Sequence, residues 1–148
     1  MRLAAVDCLT YELPLSEPLR MGDRDIATRA GWLVHVRTAD GREGWGDIAP
    51  LPGFSRETPA QAWRDVHTFI PALAAASVDD ADPVRDIAAR LGRACSSVRF
   101  GVECAVWEAA ESGSPGWRPW PASASSIDVS ALLGGTPRPR GAAVGYVM

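Results

Sequence analysis

The twelve residues from Gly44 to Ser55, GWGDIAPLPGFS, constrain the fold more than any other stretch of the sequence. They include three glycines, two prolines and two aromatic residues. The glycines permit positive φ and close backbone approach, and the prolines fix φ and remove backbone donors. Leu51 and Phe54 lie among them, although a fully solvated loop has little use for apolar side chains. The stretch is therefore either a tight turn with two apolar side chains in the core, or a shaped loop that presents them to a ligand or another domain.

The composition bounds the class of protein. A chain of 148 residues with 47% apolar residues fits one domain, or one domain plus a fragment. The net charge is −3, and charges of both signs are spread along the chain without a basic stripe, so we expect no nucleic-acid partner. All fifteen cationic residues are Arg. This sequence therefore cannot supply a lysine base, a Schiff-base lysine or a P-loop lysine.

Neither a signal peptide nor a membrane span is expected. Asp7 interrupts the start of the chain before an apolar signal core can form. The longest apolar run, Phe69 to Val78, contains Pro71 and is well short of the roughly 20 residues that a span needs. An odd number of cysteines without metal-site spacing indicates free, buried thiols: Cys8, Cys95 and Cys104. The sequence predicts a soluble cytoplasmic protein.

The first 47 residues predict a three-stranded antiparallel meander. The predicted strands cover residues 3–13, 32–37 and 43–47. Pro14 and Pro18 are expected to end the first strand, and residues 15–30 are expected to form a long, polar, irregular loop. Asp40-Gly41 predicts the tight turn between the second and third strands.

Three helices are predicted next. Thr58, Pro59 and Gln61 form the capping-box pattern at the start of the first, whose apolar face would comprise Trp63, Val66, Ile70 and Leu73. Pro71 is expected to kink or end this helix near Ile70. The second helix would run from Asp82-Pro83 to Gly92, after an acidic N-terminus.

The third predicted helix, from about residue 97 to 111, carries one apolar stripe of Val98, Val102, Ala105, Val106 and Ala109. We expect Phe100, Cys104 and Trp107 to widen this stripe and to make the helix the most buried of the three. Glu103, Glu108 and Glu111 are interpreted as its solvated or interfacial edge. His35 and His67 show no acidic partner at a recognisable spacing and are interpreted as structural.

The remaining residues read as a linker followed by a strand. Gly, Pro, Ser and Ala dominate residues 112–126, which also contain Trp117 and Trp120. Leu132-Leu133-Gly134-Gly135 follows, and residues 142–148 form an apolar run typical of a buried strand.

The order of these elements, together with three motifs, resembles the N-terminal capping domain of the o-succinylbenzoate synthase family in the enolase superfamily. The motifs are the Gly44–Ser55 stretch, Ser97–Ala105 (SVRFGVECA) and Leu132–Gly135. The resemblance extends over the whole chain. Asp47 departs from the family, in which Glu is more common. The implied fold class is α+β, with a meander and a helical bundle in a capping domain at 1–111, a linker at 112–140, and the first strand of a truncated TIM barrel at 141–148.

The resemblance also implies an activity for the full-length family. These enzymes dehydrate 2-succinyl-6-hydroxy-2,4-cyclohexadiene-1-carboxylate to o-succinylbenzoate in menaquinone biosynthesis, as Mg²⁺-dependent carbon–oxygen lyases. The barrel provides two lysines and three acidic Mg²⁺ ligands and needs about 250 residues. We therefore expect this chain alone to be an inactive fragment, with no catalytic or metal-binding residue, whose partner is its own missing barrel domain.

Two cap segments reach the barrel mouth in this family, and they fall on residues 15–30 and on residues 48–55, which we call the apolar loop. Arg is well matched to a dicarboxylate substrate. Arg20 is the main candidate to position the succinyl carboxylate, with Thr28 and Arg29 as weaker candidates, and Ser55 either donates a hydrogen bond to substrate or caps the following turn. The candidate substrate-binding residues are Arg20, Met21, Thr28, Arg29, Leu51, Pro52, Gly53, Phe54 and Ser55.

Two alternatives stay open at the level of sequence. The chain could be the cap of another superfamily member, such as an N-succinylamino acid racemase or a dipeptide epimerase. It could also be a non-catalytic remnant or an interaction module. An incomplete cap would expose its barrel-facing apolar surface, whereas a self-sufficient module would bury it.

Overall fold

The structure, a computed structural model, describes residues 1–21, 24–79 and 81–111. Three antiparallel strands form one sheet in chain order; the first and third helices pack on this sheet, and the second helix packs on the third. The strands are β1 (Leu3–Met21), β2 (Arg24–Thr38) and β3 (Glu43–Ile48). The helices are α1 (Pro59–Leu73), α2 (Pro83–Arg90) and α3 (Ser96–Glu111). The meander and the helices predicted from the sequence are confirmed. Within the described residues, no helix is both long and apolar enough to cross a membrane.

Alternation along the strands separates the two faces of the sheet. In β2, Trp32, Val34 and Val36 are buried against the helices, and the residues between them point to the opposite face. The strand register extends this inner face to β1 and β3, since Val34 pairs with Cys8 of β1 and with Gly46 of β3. The outer face is only partly covered by its own side chains, and Leu9, Leu33 and Trp45 remain 37–52% exposed there.

The prediction of an irregular loop at residues 15–30 is wrong. β1 continues to Met21 and β2 begins at Arg24, so this segment is the far part of a long β-hairpin. Pro14 pairs with Thr28, and the register shifts between Pro14 and Leu19. The prolines do not end β1 because it is an edge strand, where a residue without a backbone donor can be accommodated.

Local sequence signals set the helix starts. Thr58 and Gln61 form both hydrogen bonds of the capping box at α1, and the Asp82 side chain accepts from the Arg85 N–H at α2. Pro71 lies in the last turn of α1, which ends at Leu73 with the Ala74 N–H donating to the Pro71 carbonyl. Proline thus stops the helix within three residues of the predicted position.

The apolar stripe of α3 is narrower than predicted. Val98, Val102, Ala105, Val106 and Ala109 are all fully buried, as expected. Phe100 is 64% exposed, Trp107 is 45% exposed and Cys104 is half-buried, so the predicted widening is wrong. A helix that packs on one sheet buries a single stripe, and these three side chains lie outside it. Trp63 of α1 is also half-exposed, and its ring stacks on Trp32 with centroids 5.7 Å apart.

Glycines bring α3 very close to β3. A Cβ built on Gly46 would lie 1.8 Å from the Gly101 carbonyl oxygen, and one on Gly44 would lie 2.0 Å from that of Ala105. No side chain fits in this space. The glycines at the start of the Gly44–Ser55 stretch therefore let the sheet and α3 meet backbone to backbone. The predicted linker at 112–140 and barrel strand at 141–148 lie outside the described residues.

Candidate functional site

The apolar loop leaves β3 at Ile48 and closes on itself. The Leu51 N–H donates to Ser55 Oγ at 2.9 Å, and the Ser55 N–H donates to the Leu51 carbonyl at 2.8 Å. Gly53 has a φ of 83°, which favours glycine. Leu51 is half-buried, whereas Phe54 at the tip is 77% exposed. The loop therefore has a fixed internal shape and presents one aromatic ring to its surroundings.

Arg29 of β2 holds the start of this loop. Its Nη2 donates to the Ala49 carbonyl, and its Nη1 donates to the Pro50 carbonyl at 3.3 Å. A planar guanidinium can satisfy two adjacent carbonyl oxygens at once. The structure thus shows Arg29 bound to the backbone of the apolar loop.

Tyr11 of β1 reaches the same region from the outer face of the sheet. Its hydroxyl donates to Asp47 Oδ1 at 2.8 Å. Burial, and then the hydrogen bond with Asp47, raise the pKa of Tyr11. Asp47, at the end of β3, therefore has a defined hydrogen-bond partner next to the apolar loop.

Glu57, two residues after the apolar loop, binds the start of α3. Its carboxylate accepts from the Ser97 N–H at 2.8 Å. Burial alone would raise the pKa of Glu57, but the hydrogen bonds from Ser97 outweigh this effect and lower it. Asp65 of α1 accepts from the N–H of Cys95, the residue just before α3, at 2.7 Å, so carboxylates from two other segments bind N–H groups at the start of α3.

A cleft of about 450 Å³ lies between these segments. It is lined by one side of β2, by the end of β3 with the following loop, and by the start of α3: Arg29, Asp47, Ala49, Phe54, Ser55, Arg56, Glu57, Ser96, Ser97 and Phe100. Two exposed phenylalanines and both signs of charge meet there. This arrangement can hold a ligand with an apolar part and a charged group.

The structure brings only some of the predicted site residues together. Arg29, Phe54 and Ser55 line the cleft. Arg20 and Met21 lie at the far end of the hairpin, opposite Asp25 and Arg24, which is about 13 Å along β2 from Arg29. The four remaining predicted residues do not line the cleft either. Thr28 immediately precedes Arg29 on β2, and Leu51, Pro52 and Gly53 belong to the apolar loop.

Sequence reasoning missed Glu57 and Phe100 as members of this site. The SVRFG motif marked Phe100, but the helical pattern suggested that its ring belongs to the core. Glu57 precedes the Thr58 cap by one residue, and no local pattern reveals a partner 40 residues away.

The outer face of the sheet also carries a cluster of His35, Glu43 and Trp45. His35 stacks on Trp45 with ring centroids 4.0 Å apart, and its Nε2 lies 3.3 Å from Glu43 Oε2. His35 therefore has an acidic neighbour that no sequence spacing indicated, because strand pairing brings β3 beside it. Its role in the structure is packing on the outer face.

Across 1–21, 24–79 and 81–111, no three or more His, Cys, Asp or Glu side chains come together as a set that could hold a metal ion. The thiols do not form an activated group either. Burial raises the pKa of Cys8 to about 11, and burial also raises that of Cys95 and of Cys104. A raised pKa suppresses the reactive thiolate.

Solved structures share this fold. A mandelate racemase/muconate lactonizing protein from Herpetosiphon aurantiacus matches with a TM-score of 0.61 and 28% identity, over 72% of this chain and 30% of that one. A dipeptide epimerase from Methylococcus capsulatus, complexed with Mg and the dipeptide L-Arg-D-Lys, matches with a TM-score of 0.59 and 27% identity, over the same shares. The described residues thus have the fold of an enolase-superfamily capping domain.

Sequence comparison identifies the family. The o-succinylbenzoate synthase of Haemophilus influenzae is 37% identical over 98 residues, which are 66% of this chain and 27% of that protein. The chain spans about a quarter of the length of the curated relatives that it matches. The model of the family "MenC, N-terminal domain" matches residues 1–109. Because this match covers most of the chain, the protein belongs to the MenC N-terminal domain family.

Proposed function

We propose that this chain is the cap of an o-succinylbenzoate synthase that acts in the cytoplasm. The reaction would be the dehydration of 2-succinyl-6-hydroxy-2,4-cyclohexadiene-1-carboxylate to o-succinylbenzoate, in menaquinone biosynthesis. The family match over residues 1–109 is the observation that carries this proposal. The cleft beside the apolar loop supports it, since an apolar ring and a carboxylate would both find partners there.

In this proposal the cap shields the substrate rather than reacting with it. Phe54 would cover the apolar part of the substrate and exclude water, which strengthens electrostatic interactions in the closed site. Arg20 would bind the succinyl carboxylate from the end of the hairpin, where its side chain is exposed. Arg29 is the weaker candidate, because its guanidinium already donates to Ala49 and Pro50.

The metal of this reaction would come from outside the described residues. A structural neighbour is complexed with Mg. The side chains described here do not fit an Mg²⁺ ion, since they form no cluster of acidic ligands. The sequence also contains no Lys to act as a base. We therefore assign the metal ligands and the base to a barrel domain and derive no chemical step through this chain.

Domain exchange would test the proposal. Residues 1–111 would replace the matching domain of the Haemophilus influenzae o-succinylbenzoate synthase in one chimera, and that of the Methylococcus capsulatus dipeptide epimerase in another. We expect dehydration activity in the first chimera and little epimerisation in the second. The opposite result would favour the cap of a dipeptide epimerase, which the structural likeness to such an enzyme keeps as the second candidate.

Inactivity of both chimeras, with residues 1–111 folded in each by circular dichroism, would contradict the proposal and favour a non-catalytic module. In the active chimera, Arg20→Ala is expected to lower kcat/KM by about 10- to 100-fold, since a hydrogen bond between charged groups would be lost. Arg24→Ala on the same hairpin is the matched control. An unchanged kcat/KM for Arg20→Ala would remove Arg20 from the substrate site.

A further inference from the structure

Two side chains of the hairpin bind the segment where β3 leads into the apolar loop, Tyr11 through a side chain and Arg29 through two backbone carbonyls. Tyr11 donates its hydroxyl proton to Asp47 at 2.8 Å. Arg29 donates to the carbonyls of Ala49 and Pro50. The three bonds fall on four consecutive residues, 47–50. They come from both strands of the hairpin, since Tyr11 is in β1 and Arg29 is in β2.

Gly31 makes the first of these contacts possible. Tyr11 pairs with Gly31 across the β1–β2 ladder, and Gly31 lies between Tyr11 and the third strand. A Cβ built on Gly31 would lie 2.7 Å from the Tyr11 hydroxyl oxygen and 2.6 Å from the Ile48 carbonyl oxygen. The tyrosine side chain therefore crosses β2 at a residue without a side chain, and both strands depend on that space.

The contacts at 47–50 determine where the apolar loop lies, because among the described residues the rest of the loop is hydrogen-bonded only within itself and through the Glu57 contact after it. Leu51 and Ser55 bind each other, and Glu57 binds α3. The apolar loop is therefore closed internally and attached on both sides: Glu57 binds α3 after it, and Tyr11 and Arg29 bind the end that borders the hairpin.

We propose that Tyr11 and Arg29 are positioning residues that clamp the apolar loop to the β1–β2 hairpin and set the place of Phe54 beside the cleft. The significance of this clamp for ligand binding rests on the proposed function, but the clamp itself does not. Arg29 contributes through Ala49 and Pro50, and Tyr11 contributes through Asp47.

Loop mobility in the 148-residue chain tests this directly. Phe54 is exposed at the loop tip and is a site for chymotrypsin, so cleavage after Phe54 reports the opening of the loop. Tyr11→Phe removes one hydrogen bond and retains the ring. Arg29→Met removes the donors and retains an unbranched side chain. Each variant is expected to increase the rate of cleavage after Phe54 by about tenfold, the size of effect that one lost hydrogen bond allows.

Arg37→Met is the matched control. Arg37 lies on the same outer face of the sheet and binds Asp7 at 3.0 Å, far from the loop. Its loss should leave the cleavage rate after Phe54 unchanged. Hydrogen exchange in α2, measured by mass spectrometry, should stay unchanged in all three variants, which separates loop release from general destabilisation.

The double variant separates a shared clamp from two independent contacts. If Tyr11 and Arg29 hold one segment, its release breaks the contacts of both, so their effects should multiply and Tyr11→Phe/Arg29→Met should speed cleavage about a hundredfold. Contacts that hold separate segments would give little more than the larger single effect. Arg29→Lys should recover part of the protection, because an ammonium can still donate to one carbonyl. Unchanged cleavage in both single variants, or equal acceleration by Arg37→Met, would overturn the proposal. Since no substrate is used, these results are independent of the chimera experiments.

Discussion

The carboxylate of Glu57 accepts a hydrogen bond from the backbone N–H of Ser97, 40 residues later in the chain, at 2.8 Å. This contact connects a residue just after the apolar loop to the first turn of α3. Negative charge is favourable at a helix N-terminus, and the N–H groups there have no partner within the helix. The same residue therefore stabilises α3 and fixes one wall of the cleft.

Glu57→Gln should reduce the free energy of unfolding by about 1 kcal/mol at pH 7, the size of a lost helix cap. The folded protein lowers the pKa of Glu57 below its ordinary value of 4.5. The charged group therefore contributes stability above pH 4.5, and this contribution is lost as the pH falls through the lower folded value. Urea unfolding at several pH values would measure it. A stability difference between the two proteins that persists at pH 3 would contradict this assignment.

Gly46→Ala should destabilise the fold by about 3 kcal/mol or more, because its Cβ would overlap the backbone of α3 at 1.8 Å. Gly92→Ala is the control, since the nearest atom would lie at 3.4 Å, an ordinary contact. Urea denaturation of both variants gives the comparison. Similar stabilities for the two would mean that β3 and α3 are not in backbone contact.

Phe54→Ala should change the free energy of unfolding by less than about 0.5 kcal/mol, because the ring is 77% exposed. Ile48→Ala, six residues earlier and fully buried, should cost about 2–5 kcal/mol. The pair distinguishes a ring that faces a ligand from one that supports the fold. If Phe54→Ala were as destabilising as Ile48→Ala, Phe54 would belong to the core.

Cys8 should react slowly with thiol reagents. Burial raises its pKa from 9.0 to about 11, so the thiolate fraction at pH 8 falls about a hundredfold. A Cys95→Ser/Cys104→Ser variant retains Cys8 as its single cysteine. Its rate constant with a disulfide reagent in buffer should be at least about a hundredfold below that in urea. Equal rates would show that the Cys8 thiol is accessible.

Much of the secondary structure follows from local signals. The Asp40-Gly41 turn, the Thr58–Gln61 capping box and the Asp82 cap each lie within a few residues of their partners, and all three were predicted. The alternation of Trp32, Val34 and Val36 identified the buried face of β2. The prediction failed at Pro14, because local propensity does not tell whether a strand will lie at an edge.

The candidate site was predicted less completely. Its loop was recognisable because glycines, prolines and apolar residues occur together at 44–55. Phe100 was assigned to the core, since a helical pattern alone does not show how wide a stripe the sheet will cover. Arg29 was considered as a ligand for substrate, whereas in the fold its guanidinium donates to two carbonyls of the loop.

The sequence by itself determined where β1, β3 and the three helices begin, which stripe of α3 is buried, and which family the Gly44–Ser55 stretch resembles. These properties depend on residues a few positions apart in the sequence, and on a contiguous motif. The tertiary structure decided the contacts of Tyr11 with Asp47, of Arg29 with Ala49 and Pro50, and of Glu57 with Ser97. Each joins residues 20 to 40 positions apart, and only the packing of the hairpin, the loop and α3 against one another brings such partners within hydrogen-bond distance.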